Sequence, residues 1–156
     1  MAHLSFPSPL GPLTLIEADG AITALTWGDR GGATETPLLR QGRDEIAAYF
    51  AGRLRRFTLP LTPAGTPFQR RVWATLAEIP FGQTRSYGDL ARELGSGPRA
   101  VGGACGRNPI PLLIPCHRVL TADGHLGGYS GQGGLVTKMQ LLRHEGAIPP
   151  EPAGPG

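Results

Sequence analysis

Cysteine is scarce in this sequence, and so are long apolar segments. The chain has 2 cysteines in 156 residues, which is too few for a disulfide framework. No apolar run reaches the roughly 18 residues of a membrane-spanning helix, and the N-terminus lacks the basic and apolar regions of a secretory signal. We therefore expect a cytoplasmic protein without membrane contact, in which both thiols are free.

An excess of charge of one sign is also missing. The chain has 15 basic and 12 acidic residues, which gives a net charge of +3. Such mild basicity suits a polyanionic partner but does not identify one, because an ordinary solvated surface can have the same balance. Glycine and proline, by contrast, are abundant, with 24 and 16 copies. This composition indicates a folded protein rich in turns and loops.

The first third of the chain combines strand and helix patterns. Residues 12–18 and 21–27 are strand-like runs separated by Asp19-Gly20, which is a hairpin signal. Residues 37–51 predict a helix, and a short strand is expected at residues 57–59. These elements predict a small N-terminal α/β domain.

The rest of the chain predicts a mainly helical domain. Thr66 begins one helix with a capping box, and Ser86 begins another that ends at Gly95. Residues 99–107 form a short third candidate, and the last helix is expected over residues 135–144.

The predicted domains meet in a linker rich in turn residues. We expect an α/β domain over residues 1–65 and the helical domain over residues 66–146. Residues 147–156 have no packing pattern and are expected to be disordered. Asp123-Gly124 is a second hairpin signal.

The third helix candidate is notable for its glycines. Gly102, Gly103 and Gly106 each cost up to about 1 kcal/mol relative to alanine in a helix. Small side chains make sense where another backbone comes very close, and the helices have the outline of a helix-turn-helix. Tight packing of helices in the core explains the same residues equally well.

Cys116 stands beside an imidazole and a guanidinium in the segment IPCHRV. A zinc site is disfavoured, because the Cys and His residues lack the paired short spacings of zinc ligands. A redox pair would need a C-x-x-C motif, which is absent. The remaining possibilities are a nucleophile, activated by the cationic neighbours, and an inert buried thiol.

A nucleophilic cysteine needs a base, and the base needs an orienting group. His117 is adjacent to Cys116, but neighbouring side chains of an extended chain point to opposite faces, so contact would need a turn or a bridging water. Glu145 is the best candidate for the orienting carboxylate. Cys105 lies among small residues and is interpreted as packing.

Residues 108–119, NPIPLLIPCHRV, closely resemble the active-site signature of the O6-alkylguanine-DNA alkyltransferases, also called methylated-DNA–protein-cysteine S-methyltransferases. Other stretches match the family in the same order, so the resemblance covers roughly residues 66–146. The first third matches only in general layout. The matching stretches are PFQRRVW, PFGQTRSYGDLA, GPRAVGGA, GGYSG and LLRHEG.

The resemblance implies a ribonuclease-H-like N-terminal domain followed by a winged-helix or helix-turn-helix domain. It implies a monomer that binds double-stranded DNA containing O6-alkylguanine. The implied activity is direct, irreversible transfer of the alkyl group, also from O4-alkylthymine, to the protein's own cysteine, once per molecule. We expect no cofactor and no metal, because His3 is the only Cys or His before residue 105.

The resemblance also implies roles for five residues of the reaction centre. Cys116 corresponds to the alkyl acceptor, and His117 to the base, which acts through a water molecule. Glu145 corresponds to the partner that orients His117. Asn108 would brace the active-site turn, and Tyr87 would help to rotate the target nucleotide and polarise the guanine.

Further positions resemble the family's DNA-binding residues and pocket residues. Arg99 resembles the arginine finger that fills the gap in the base stack. Residues 100–106 resemble the recognition helix, which enters the minor groove in this family. The expected DNA contacts are Arg99, Ala100, Gly103, Ala104 and Arg107, and the expected pocket residues are Pro111, Tyr129 and Ser130.

Two other function classes remain open at this point. A non-catalytic lesion-binding protein of the same fold would lack the nucleophile, and Cys116 argues against it. A cysteine hydrolase built from Cys116, His117 and Glu145 would turn over repeatedly and would need no groove-binding helix.

Overall fold

The chain begins with a three-stranded antiparallel sheet. A computed structural model describes residues 1–121 and 134–148. The strands are β1 (Ala2–Phe6), β2 (Leu13–Ala18) and β3 (Ala21–Trp27), in the order β1-β2-β3. Asp19 and Gly20 have φ values of 52° and 78°, as a two-residue hairpin turn requires. The predicted hairpin is confirmed, whereas β1 was not predicted from the sequence.

Helix α1 (Pro37–Phe50) covers this sheet. Its side chain cap is Thr36, and its buried face includes Leu39, Ile46 and Tyr49. The buried residues of α1 recur every three or four positions, so they form one face of the helix, and this face packs against the core. The predicted helix is confirmed, and it ends one residue earlier than expected.

The predicted strand at residues 57–59 is wrong. The backbone N–H of Thr58 donates to Glu45 Oε1 at 2.8 Å, and its hydroxyl donates to Glu45 Oε2. A side chain of α1 therefore takes the hydrogen bond that a neighbouring strand would have supplied. An isolated bridge between Ile22 and Leu61 is the nearest approach to sheet pairing in this segment.

The second part of the chain is mainly helical, as predicted. Thr66 and Gln69 form both hydrogen bonds of the capping box, and Ser86 accepts a hydrogen bond from the backbone N–H of Asp89. The elements are α2 (Pro67–Ala77), β4 (Arg85–Ser86), α3 (Tyr87–Leu94), α4 (Pro98–Gly106), a 3-10 turn (Cys116–Arg118), β5 (Val119–Leu120) and α5 (Gly134–His144).

Two contacts determine where the 3-10 turn lies. Strands β4 and β5 pair in parallel, so the start of α3 lies beside the end of the turn. Helix α4 packs against α2 and α3, and the indole N–H of Trp73 donates to the Ala104 carbonyl at 2.9 Å. Helices α2 and α5 contact the turn itself, so the turn that carries Cys116 is held between helices and a short sheet.

Some predictions lie outside the described residues, namely the Asp123-Gly124 hairpin and the C-terminal tail beyond Ile148. Within residues 1–121 and 134–148, no helix combines the length and the apolar character needed to cross a membrane.

Candidate active site

Cys116 is the first residue of the 3-10 turn, and its side chain is buried, with 3% exposed. Asn108 braces the preceding loop, because its side-chain amide donates to the Ile114 carbonyl and its Oδ1 accepts from the Ile110 N–H, both at 2.9 Å. The Cys116 N–H donates to the same Ile114 carbonyl at 2.8 Å. Asn108 thus fixes the backbone that presents the thiol, as its predicted bracing role requires.

The same loop contains a strained residue. Leu112 is buried and has a φ of 74°, in the left-handed region that costs a side-chain-bearing residue roughly 1–2 kcal/mol. The loop retains this conformation because Asn108 and the hydrogen bond from the Ile114 N–H to the Ile110 carbonyl hold both sides of it. Such strain concentrates at functional sites.

His117 and Glu145 meet although 28 positions separate them. The Nε2 atom of His117 lies 2.8 Å from Glu145 Oε2, and both side chains are fully buried. The 3-10 turn breaks the extended geometry in which Cys116 and His117 would have pointed to opposite faces. The structure thus contains the turn that the sequence argument required, and it brings His117 to its expected carboxylate.

Two further side chains bind the same carboxylate, and neither is among the site residues predicted from the sequence. Arg118 donates from Nε to Oε1 at 2.8 Å and from Nη2 to Oε2 at 2.9 Å. The Tyr49 hydroxyl donates to Oε2 at 2.6 Å. Glu145 therefore pairs with an arginine and also orients the histidine.

The ionisation of Glu145 decides which nitrogen of His117 carries the proton. Burial disfavours the charged carboxylate, but the hydrogen bonds from His117 and Arg118 outweigh burial and hold the pKa of Glu145 well below its usual range. An ionised carboxylate only accepts hydrogen bonds, so Nε2 of His117 is the donor. The neutral ring then has its lone pair on Nδ1.

The Nδ1 atom of His117 is placed to act as a base. It is buried and has no hydrogen-bond partner among the residues that the structure describes. Burial lowers the pKa of His117, and the neighbouring Glu145 opposes this shift only in part. The imidazole is therefore neutral in the resting protein and can accept a proton at Nδ1.

Lys138 is a further residue of the site that was not predicted from the sequence. It lies on α5, is fully buried, donates from Nζ to the Val119 carbonyl at 2.6 Å, and lies 5.8 Å from the centre of the Tyr87 ring. Burial lowers its pKa to about 8, although the Cys116 and Cys105 thiols act in the opposite direction. One signal was available, because Lys138 precedes the core residue Leu141 by three positions and so shares its helix face.

Tyr87 and Cys105 have raised pKa values. Burial, with a smaller effect of the two thiols, raises the pKa of Tyr87 to about 12, so its hydroxyl remains a proton donor at neutral pH. Burial also raises the pKa of Cys105 to about 12. Cys105 is thus a buried packing residue, as predicted from its small neighbours, and Cys116 is the cysteine that begins the turn beside the histidine.

The outer face of α4 is exposed and has small side chains. Arg99, Ala100, Gly103 and Arg107 are all exposed. A methyl group added at Gly103 or at Gly106 would meet no atom within 4 Å. Internal packing therefore does not require glycine at these two positions.

One expected DNA contact needs correction. Ala104 is buried, with 3% exposed, on the inner face of α4, and its carbonyl accepts the indole N–H of Trp73. Its side chain therefore belongs to the core and not to the outer face. Pro111 is buried in the loop before Cys116, while Tyr129 and Ser130 lie outside the described residues.

The side chains that could hold a metal ion are those of the Cys, His, Asp and Glu residues, and no metal is expected from the sequence. Among residues 1–121 and 134–148, no group of three or more of these side chains is placed to hold a metal ion.

Comparison with known proteins assigns both parts of the chain to one family. Residues 1–63 match the ribonuclease-like domain of 6-O-methylguanine DNA methyltransferase, and residues 67–147 match its DNA-binding domain. The predicted fold class, an α/β domain followed by a helical DNA-binding domain, is confirmed.

Several relatives are similar over nearly their whole length. The methylated-DNA–protein-cysteine methyltransferase of Mycolicibacterium paratuberculosis is 46% identical, with 88% of each chain covered. That of Methanosarcina acetivorans is 40% identical, with 94% of this chain and 99% of the relative covered. The structure of Mycobacterium tuberculosis OGT in complex with DNA matches with a TM-score of 0.83 and 44% identity, over 93% of this chain and 92% of that one. This chain belongs to the 6-O-methylguanine DNA methyltransferase family.

The pKa of Glu145 predicts how stability depends on pH. Because its pKa is lower in the folded state, the carboxylate stabilises the fold fully above its ordinary pKa, near 4.5, and this contribution is lost as the pH falls through the folded-state value. We expect Glu145→Gln to unfold more easily at about pH 7 and to lose less further stability on acidification to about pH 3 than the wild type. Urea unfolding at both pH values measures this difference. An equal loss in both proteins would contradict the assigned ionisation.

Proposed function

We propose that this protein repairs O6-alkylguanine, and also O4-alkylthymine, in duplex DNA by transferring the alkyl group to Cys116. The observation that carries the proposal is a buried cysteine on a rigid turn, followed directly by a histidine whose other nitrogen is hydrogen-bonded to an ionised carboxylate. The exposed, glycine-rich helix α4 supports it, as does the similarity to a relative that was solved in complex with DNA.

The first step is proton transfer from Cys116. The thiol proton passes through a water molecule to Nδ1 of His117, and the imidazolium that forms is stabilised by the carboxylate of Glu145, 2.8 Å from Nε2. General base catalysis of this kind contributes roughly 10²–10⁴-fold. The amino group of Lys138, on α5, favours the negative thiolate, because it belongs to the same buried cluster.

The second step transfers the alkyl group. The thiolate sulfur attacks the alkyl carbon, a sulfur–carbon bond forms, and the carbon–O6 bond breaks with its electron pair moving to the guanine. The Tyr87 hydroxyl, whose pKa is raised to about 12, remains protonated and donates a hydrogen bond to the departing base. The guanine anion takes up a proton from water at N1, the imidazolium of His117 returns its proton to water, and guanine is restored in the DNA.

The product explains why each molecule acts once. S-alkylcysteine is a thioether, and neither water nor a neutral thiol readily removes its alkyl group. Cys105 provides no thiolate to remove the alkyl group, because burial raises its pKa to about 12. The protein is therefore consumed by the reaction.

Helix α4 provides the DNA surface of this proposal. An O6-alkyl carbon inside duplex DNA is inaccessible, so the nucleotide must leave the base stack. The small residues Ala100 and Gly103 let the helix backbone approach the floor of the minor groove, where base identity is weakly encoded. Arg99, at the exposed start of the helix, fills the gap in the stack. Repair requires a DNA-binding surface of this kind, whose binding depends little on base sequence.

The remaining features of the proposal concern the protein as a whole. It acts as a monomer in the cytoplasm, where a reducing environment keeps Cys116 as a free thiol. The chain then has two domains with different roles, at residues 1–65 and 66–146. Helix α4 and Cys116 lie in the second domain, and the sheet with α1 lies in the first.

The proposal predicts stoichiometric repair. Incubation with a duplex containing O6-methylguanine should end when the lesions repaired equal the protein molecules supplied, with one methyl mass on the peptide that contains Cys116. Cys116→Ala should bind the duplex but transfer nothing, whereas the matched variant Cys105→Ala should still transfer. Repair well beyond one lesion per chain would identify a hydrolase instead.

The role of Arg99 predicts a difference between two substrates. Arg99→Ala should slow transfer from duplex DNA by tenfold or more, since extrusion of a base costs a few kcal/mol that an inserted side chain offsets. Transfer from the free base O6-benzylguanine needs no extrusion and should change little. Arg40→Ala, which removes an exposed arginine from α1, is the control and should resemble the wild type on both substrates. Equal losses of Arg99→Ala on both substrates would contradict the assignment.

A further inference from the structure

Tyr49 reaches the reaction centre from the other domain. It lies near the end of α1, is fully buried, and donates from its hydroxyl to Oε2 of Glu145 at 2.6 Å. The other side chains that bind this carboxylate, His117 and Arg118, belong to the 3-10 turn. The family signature around Cys116 does not contain Tyr49.

The tyrosine and the histidine share one oxygen atom. Oε2 of Glu145 accepts from the Tyr49 hydroxyl at 2.6 Å, from His117 Nε2 at 2.8 Å and from Arg118 Nη2 at 2.9 Å, while Oε1 accepts from Arg118 Nε. A carboxylate offers about four lone-pair positions. Each donor on Oε2 reduces the negative charge that this atom presents to the others.

The position of the Tyr49 ring is fixed by its neighbours. His144 Nε2 donates to the Tyr49 carbonyl at 2.7 Å, and the two rings lie 4.8 Å apart between centres. Phe81 packs edge-on at 5.9 Å and Phe57 lies at 5.4 Å. The hydroxyl is therefore aimed at Glu145, the residue that follows His144, by contacts on several sides.

Gly82 allows the turn after α2 to close over this region. Its φ of 84° favours glycine, and an added methyl would lie 3.2 Å from the carbonyl oxygen of Glu145. The turn that carries Phe81 therefore packs directly on the backbone of Glu145. The backbone of Glu145 thus packs within its own domain, while its carboxylate accepts the hydroxyl of Tyr49 from the other domain.

We propose that Tyr49 is a positioning residue for the transfer reaction, whose hydroxyl holds Glu145 in place and keeps His117 in its neutral, proton-accepting form. The inference rests on the proposed function and adds to it a contribution of the N-terminal domain. Without the hydroxyl, more of the negative charge on Oε2 acts on His117, so the imidazolium is favoured and the base is occupied at a higher pH.

Several other charged or titratable groups face this network. Arg118 and Lys138 act on His117 by their positive charges, and both lower its pKa. His144 contacts Tyr49, and Cys116 neighbours His117 on the turn. None of these groups is changed when Tyr49 is replaced by phenylalanine, so a difference between the two proteins reports on the hydroxyl.

The test is the pH dependence of transfer by Tyr49→Phe. Single-turnover rates with an O6-methylguanine duplex are measured from about pH 5 to about pH 9. We expect the acidic limb of the profile to move to higher pH, and the rate near neutral pH to fall roughly tenfold or more, as loss of one hydrogen bond to a charged group implies.

Phe50→Leu is the matched control. It removes a ring that packs edge-on against Tyr49 at 5.0 Å but leaves the hydroxyl on Glu145. We expect a lower melting temperature and an unchanged pH profile. Melting curves of both variants establish that they are folded at the assay temperature.

The possible results are distinguishable. A Tyr49→Phe profile that coincides with the wild type, with only a lower melting temperature, would overturn the inference and make Tyr49 purely structural. A shift of the same size in Phe50→Leu would also overturn it, because packing and not the hydroxyl would then be responsible. Absence of transfer by the wild type would instead refute the proposed function.

Discussion

The buried carboxylate of Glu145 is the constraint on which the rest of the site depends. An ionised group that is removed from water must be paired and hydrogen-bonded, or burial destabilises the fold. Its donors come from α1 and from the 3-10 turn, while the residue itself follows α5. The two domains must therefore be correctly assembled, with α5 in place, before the buried charge of Glu145 is paired. The same assembly orients His117.

The outer face of α4, in contrast to the buried carboxylate, is exposed to solvent. There the chain accepts helix-destabilising glycines, and a methyl group at Gly103 or Gly106 would contact nothing. Packing inside the fold does not require them, and the proposed function explains them by the approach of DNA. The hydrogen-bonded loop before Cys116 and the exposed face of α4 thus suit the two parts of the proposed function, the chemistry and the approach of DNA.

Local patterns predicted most of the fold, and tertiary contacts explain the errors. The Asp19-Gly20 hairpin and the Thr66 capping box follow from short-range rules. The prediction of a strand at residues 57–59 was wrong because Glu45, distant in sequence, accepts the hydrogen bonds of Thr58. In the site, Cys116 and Glu145 were found through motifs, whereas Tyr49 and Lys138 were missed. Tyr49 meets Glu145 and Lys138 meets Val119 only in the folded chain. The position of Lys138 on the buried face of α5 was a signal, but the partners of both residues are not encoded by a local pattern.

The tautomer of His117 tests the account most directly. Long-range ¹H–¹⁵N NMR on uniformly labelled protein reports the protonation of each nitrogen of the 4 histidines, and His117→Gln identifies the signals of His117. The account predicts a neutral ring at about pH 7, with the proton on Nε2 facing Glu145 and a bare Nδ1. A ring protonated on Nδ1, or a doubly protonated imidazolium at that pH, would contradict it.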